Sequence, residues 1–190
     1  MRALVSVLVS VFASLSTAVP VLAQDLFEAN YRNLATGSIE IGRIGFSDAL
    51  RNKAALLGED ELARLASYLR EDLQAALVAS QWHGVAARET VLNVTLLDVT
   101  PNRPTLSQIQ QLPNAHYSEH VAGGADLSAV LVDAEGAVIA TYDFAWYNPE
   151  PGDGSGMGIW SDTRAAFSRF SHRLADSLGE APMPRLVSGS

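Results

Sequence analysis

The residues with the clearest chemical spacing are His116, Glu119 and His120, which lie in the pentapeptide His-Tyr-Ser-Glu-His. The pattern H-x-x-E-H is typical of one class of zinc metalloproteases, in which the two histidines bind Zn²⁺ and the glutamate acts as the base. This chemistry requires both histidines on one helical turn and a further ligand elsewhere. Pro113 precedes the pentapeptide and Gly123 follows it, so a long helix has no room. We therefore expect a polar loop at this position.

Two roles for this pentapeptide remain as hypotheses. His116 and His120 are weak candidate ligands for Zn²⁺ or Cu²⁺, because histidine pairs at this spacing bind metal when a turn forms. A metal-dependent hydrolase or metal-binding protein that uses His116, Glu119 and His120 is the alternative function. The sequence otherwise predicts no cofactor.

A glycine-rich segment, residues 148–158, carries three further side chains with chemical potential, Glu150, Asp153 and Ser155. The segment lacks the spaced acids of an EF-hand, the flanking glycines of a nucleophile elbow and the lysine of a P-loop. We interpret it as a flexible surface connector.

An aromatic stripe with a period of two residues follows the segment around Gly136. Its members are Val138, Ala140, Tyr142, Phe144 and Trp146. One interpretation places the stripe in the core, beneath the helices. The other places it on an open side of the sheet, as a binding face for a partner protein or an apolar ligand. In that case Tyr142, Trp146 and Tyr147 are the candidate partner-binding residues, with Asp143 nearby.

Composition limits the classes of function. The formal net charge of −8 argues against binding to nucleic acid and to anionic membrane surfaces, which both require basic residues. The chain has no cysteine, which excludes disulfides and thiolate metal sites.

The N-terminal residues have the pattern of a secretory signal peptide at residues 1–23. Arg2 is followed by a mostly apolar run, Pro20 breaks that run, and Ala23 is a small residue suited to cleavage after it. We therefore expect a periplasmic or secreted protein with no membrane span after cleavage. We interpret residues 24–37 as a flexible lead-in, residues 38–179 as a single domain and residues 180–190 as a flexible tail.

Hydrophobic periodicity predicts the elements that position these residues. A strand is predicted at residues 38–46, one short helical turn within 47–58, a helix at 59–80 and a strand at 89–100 that Pro101 ends. A short turn at 106–111 is predicted next, and then a hairpin at 123–147 with Gly136 in its loop. Ser161 is predicted to cap the last helix and Gly179 to end it. The fold class is α+β, a two-layer sandwich in the order strand-helix-strand-strand-strand-helix. It has a mostly antiparallel four-stranded sheet with two helices on one face.

Four stretches of the chain, which cover most of residues 38–178, resemble a known family. They are residues 62–69, 91–101, 123–133 and 160–167. The sequence is similar to the domain-of-unknown-function family 3313, whose members are bacterial cell-envelope proteins, many of them lipoproteins. The resemblance implies an envelope location and the fold given above, but no established activity. The lipid-bearing cysteine of many relatives is missing here, which favours a soluble periplasmic form.

The sequence thus predicts an uncharacterised, non-enzymatic binding protein or envelope assembly and maintenance factor. Its expected partner is another envelope protein or a second copy of itself.

Overall fold

The computed structural model describes residues 26–32, 38–80, 90–150 and 158–180. The predicted signal peptide and its cleavage site lie outside the described residues. So do residues 151–157 of the glycine-rich connector and the tail from residue 181.

The described residues form five strands and four helices. They are, in order, β1 (Leu26–Tyr31), β2 (Ile39–Phe46), α1 (Asp48–Leu57), α2 (Glu59–Ala79), β3 (Thr90–Thr100), α3 (Leu106–Gln111), β4 (Gly124–Val132), β5 (Val138–Tyr147) and α4 (Ser161–Glu180). The strands make one sheet in the order β1-β5-β4-β3-β2. Strands β2 and β3 are parallel, and the remaining neighbours are antiparallel. The α+β class and a mixed sheet are therefore confirmed.

The predicted count of strands and helices was wrong in detail. Leu26–Tyr31, which we interpreted as part of a flexible lead-in, pairs with β5 as a fifth strand. The single turn expected after Phe46 is a ten-residue helix, which Ser47 caps by accepting the Leu50 N–H. The short turn at 106–111 is α3, fixed by a reciprocal capping box between Thr105 and Gln108. Helices α1 and α3 bring the number of helices to four instead of two.

The last helix also differs at both ends from the prediction. It begins at Ser161 itself, whose hydroxyl accepts the Gly158 N–H at 3.0 Å. Gly179 does not end α4, because the helix continues to Glu180. A glycine stops a helix by taking a positive φ, and Gly179 is not among the described glycines that do so.

One face of the sheet and the helices form the core. Alternate residues of the three central strands point to this face and are buried: Leu92, Val94, Leu96, Leu127, Ala129, Leu131, Tyr142 and Phe144. The apolar stripes of α2 and α4 cover them. Phe170 of α4, for example, packs against Phe144 with ring centroids 5.6 Å apart. The opposite face carries half-exposed polar side chains such as Asn93, Thr95 and Ser128.

The predicted hairpin of β4 and β5 has a three-residue loop that contains Gly136. Asp133 N–H donates to the Ala137 carbonyl at 3.0 Å, and Gly136 has a φ of +82°. A side chain is disfavoured at such a φ, which explains the glycine. The loop lies at one end of β4 and β5. The candidate site lies at the other.

Candidate functional site

The pentapeptide of residues 116–120 lies on the surface and does not form a helix. Its histidines and Glu119 are all exposed, and the Glu119 N–H donates to the His116 carbonyl at 2.9 Å, which closes a single turn. Within the described residues no group of three histidine, aspartate or glutamate side chains is arranged to hold a metal ion. The helical support that a zinc protease of this pattern needs is therefore not there.

The aromatic stripe is divided between the core and a cleft. Tyr142 is 0% exposed, so it lies in the core and cannot be on an open binding face. Burial raises its pKa strongly, and the neighbouring Tyr31 adds to the shift. Trp146, at the end of the same stripe, is half-buried beside α4. Tyr147 points to the opposite face of the sheet, because successive strand residues alternate.

A buried polar junction joins four parts of the chain beside Trp146. Asp162, in the first turn of α4, is 3% exposed. Its carboxylate accepts the Gly123 N–H and the Asn148 side-chain amide, each at 3.2 Å. The Asp162 N–H in turn donates to the Asn102 side-chain oxygen at 2.9 Å. The junction thus fixes the ends of β3, β4 and β5 to the start of α4.

The two glycines at the start of β4 allow this close approach. A Cβ on Gly123 would lie 2.9 Å from the Asn102 side-chain oxygen and from the Asp162 Cβ. A Cβ on Gly124 would lie 2.2 Å from the Trp146 carbonyl oxygen, far inside van der Waals contact. The Gly123-Gly124 pair is therefore required by packing at the junction.

Next to the junction is an open cavity of about 440 Å³, which we call the Trp146 cleft. Its walls come from the end of β5, the residues that follow it, and the first turns of α4. The polar and aromatic lining residues are Trp146, Asn148, Glu150, Ser161, Asp162 and Arg169. This volume falls within the range of small-ligand pockets.

The wall of the cleft is a cation stacked on an aromatic ring. The guanidinium carbon of Arg169 lies 4.7 Å from the centroid of the Trp146 ring, and the Arg169 side chain is exposed. Such stacking holds the guanidinium in a fixed plane against the ring. A restrained arginine beside a tryptophan is typical of a recognition surface.

The open face of the sheet carries a second group of titratable residues. Asp98 and Asp126 are directly opposed on β3 and β4, and Lys53 pairs with Asp98 at 2.6 Å. Burial, and then the charges of Asp98 and Asp143, raise the pKa of Asp126. Burial and the Asp98 and Asp126 charges raise the pKa of Tyr147 to about 12.

Sequence reasoning found Trp146 but missed the residues around it. Arg169 lies on α4, where an exposed arginine gives no signal by itself. Asp162 lies in the first turn of α4, where the helix dipole favours an acidic residue, but no local pattern reveals its bonds to Gly123 and Asn148. A polar residue directly after a strand, such as Asn148, was the signal that could have pointed to a site.

None of the described helices has the length and apolar character needed to cross a membrane. No protein-family model matches the chain, and no curated protein matches it. Solved structures give a distant likeness. The PelC dodecamer from Paraburkholderia phytofirmans is 12% identical, with a TM-score of 0.42 over 77% of this chain and 96% of that chain. A methionine variant of that dodecamer is also 12% identical, with a TM-score of 0.39 over 82% of this chain and 97% of that chain. At these TM-scores the likeness carries no argument about what this chain does.

Proposed function

We propose that this chain is a non-enzymatic binding protein of the bacterial cell envelope, and that it meets its partner at the Trp146 cleft. The envelope location is supported by the signal-peptide pattern of residues 1–23 and by the resemblance to an envelope family. The partner class is another envelope protein.

The observation that carries this proposal is the stack of Arg169 on Trp146 in the wall of a cavity of about 440 Å³. Arginine and tryptophan are the side chains most enriched at energetic hot spots of protein interfaces. The tryptophan ring restrains the guanidinium, so less side-chain entropy is lost when a partner packs against the two side chains.

The carboxylate on the cleft floor favours binding over catalysis. Asp162 is buried and each of its two carboxylate oxygens accepts one N–H donor, so the fold fixes the position of this side chain. A general base has to be free to take a proton from a substrate. The junction therefore acts as a rigid support for the cleft, which suits a preformed binding site.

Photo-crosslinking in intact bacterial cells tests the proposal. Pro149, an exposed residue on the cleft rim, is replaced by p-benzoylphenylalanine. We expect one discrete adduct with an envelope protein. The yield of this adduct should fall strongly when Arg169→Ala or Trp146→Ala is added.

N-terminal sequencing of the exported chain tests the predicted signal peptide and should give Gln24 as the first residue.

The control carries the same photoreactive residue at Ala134, which is exposed in the hairpin loop at the far end of β4 and β5. That position should give no such adduct. The same adduct from both positions, or an adduct that persists at full strength in Arg169→Ala, would show that the cleft is not the binding site.

A further inference from the structure

The two edges of the sheet differ in how well they are closed to further pairing. At the β2 edge the pairing with β3 is interrupted by a bulge between Ile41 and Ile44. The guanidinium of Arg70 donates to the Ile41 and Gly42 carbonyls, each at 2.8 Å. A bulge and occupied backbone groups protect an edge strand against pairing.

The β1 edge has none of these protections in the described residues. Its six residues pair with β5 in unbroken register, from Leu26↔Ala145 to Tyr31↔Ala140. No proline and no lysine interrupts the strand. Within the described sheet β1 has a neighbour on one side only. An edge of this kind is a template for another strand.

The direction of the free backbone groups follows from one hydrogen bond. The Arg32 N–H donates to the Ile139 carbonyl at 2.8 Å, in line with the β1–β5 register. Backbone groups alternate sides along a strand, so every second residue before Arg32 also points to β5. The residues that point to the free edge are therefore Phe27, Ala29 and Tyr31.

We propose that this edge pairs with the same edge of a second copy of the chain, antiparallel about a twofold axis at Ala29. Ala29 then faces Ala29 of the second copy, and Phe27 faces Tyr31. Phe27, Ala29 and Tyr31 each donate their N–H to the second copy and accept an N–H from it at their carbonyl. The result is one continuous sheet across two chains, an isologous contact that closes at the dimer.

The side chains favour this register over its neighbours. A twofold axis at Ala29 places Glu28 opposite Asn30, an acceptor opposite a donor. The two already interact within one strand, since the Asn30 amide donates to Glu28 at 3.1 Å. An axis at Glu28 opposes two carboxylates directly, which is destabilising. An axis at Asn30 leaves Phe27 without a partner and so forms a shorter ladder.

The exposed apolar side chains of β1 also favour this register. Leu26, at the start of β1, is 56% exposed. In the proposed register it lies opposite Arg32 of the second copy, whose aliphatic stem can cover it. Phe27 and Tyr31 are half-buried at the edge of the helix layer, and each would gain the other as a cross-strand aromatic neighbour.

Light scattering on the purified chain at increasing concentration tests the proposal. We expect the mass to rise from one chain to two, and Ala29→Pro to weaken dimerisation by at least about tenfold, because proline removes the central N–H donor. Ala29→Ser is the matched control, since it keeps that N–H and should dimerise like the wild type. A mass of one chain at every concentration, or equal dimerisation of the serine and proline variants, would overturn the proposal.

Disulfide trapping tests the register even if the proline variant fails to fold. The chain has no cysteine, so single cysteines can be introduced without competing thiols. A mixture of Glu28→Cys and Asn30→Cys chains should form a covalent dimer, because non-hydrogen-bonded antiparallel pairs lie about 4.5 Å apart at Cα, within disulfide range. Either variant alone should cross-link several-fold less. Equal cross-linking of either variant alone, or no cross-linking in the mixture, would refute the register.

Discussion

Among single changes at the candidate site, removal of the buried Asp162 carboxylate should lower the free energy of unfolding the most. Asp162→Ala leaves the Gly123 N–H and the Asn148 amide without their acceptor in a buried position. A hydrogen bond to a charged group contributes about 1.5–3 kcal/mol, and a buried donor left without a partner retains its desolvation penalty. Two such bonds predict a loss of about 3–6 kcal/mol in the free energy of unfolding.

The hairpin loop offers a matched control with the same residue type. The Asp133 carboxylate also accepts two backbone N–H groups, from Glu135 at 3.1 Å and from Ala137 at 2.7 Å. Water can replace these bonds because the loop is exposed. Asp133→Ala should therefore cost only about 1–2 kcal/mol, at about 0.5–1 kcal/mol for each of the two exposed bonds.

Urea unfolding followed by far-ultraviolet circular dichroism at pH 7 measures both free energies. The two variants should share the wild-type slope and differ in midpoint, because a stability change shifts the midpoint alone. If Asp162→Ala is no less stable than Asp133→Ala, burial does not strengthen these bonds and the account of the junction is wrong.

Three further predictions concern charge and packing. Tyr147 keeps its proton to about pH 12 in the folded state, whereas an unfolded tyrosine loses it near 10.0, so its contribution to stability is lost as pH rises between these values. Tyr147→Phe should lose less stability over this interval in urea titrations, and an unchanged loss would contradict the assignment. The raised pKa of Asp126 means that the folded state favours its protonated form. The stability that this preference gives is fully present below the unfolded pKa and is lost as pH rises through the folded pKa, so the ionised carboxylate opposes folding. Asp126→Asn should therefore raise the urea midpoint at pH 7 but not at pH 3, and equal effects at both would show that burial and the charges of Asp98 and Asp143 do not disfavour the ionised carboxylate. Gly124→Ala forces a clash with the Trp146 carbonyl and should cost roughly 3 kcal/mol or more, whereas Gly136→Ala meets open space at positive φ and should cost about 1–2 kcal/mol. Thermal unfolding ranks these two variants, and the reverse order would contradict the packing at the junction.

The sequence predicted the elements whose pattern is long and local. The leucines of α2 repeat over six turns, and the alternation of β3 continues until Pro101, so periodicity alone located both. The hairpin followed from Gly136 between two β-rich runs. In each case the sequence pattern and the element that it predicts involve residues that are close together along the chain.

The missed features depend on contacts between distant parts of the chain. Strand β1 has an alternating pattern of only six residues, too short to stand out beside the preceding apolar segment. The stack of Arg169 on Trp146 exists because α4 packs across the end of β5, and no local pattern encodes that crossing. The polar junction likewise unites Asn102, Asn148 and Asp162, each of which looks like ordinary loop or helix-start chemistry in isolation.

The position of β1 in the sheet has a consequence for the order in which the chain can fold. Tyr31 and Tyr142 meet across β1 and β5 although 111 residues separate them, whereas β4 and β5 are joined by a tight loop. Closing the longer loop loses more chain entropy, so the hairpin can nucleate early while β1 docks late. During synthesis β1 is made first, yet its partner strand is made near the end. Glu28 and Asn30 give the waiting strand polar side chains on one side until β5 is made.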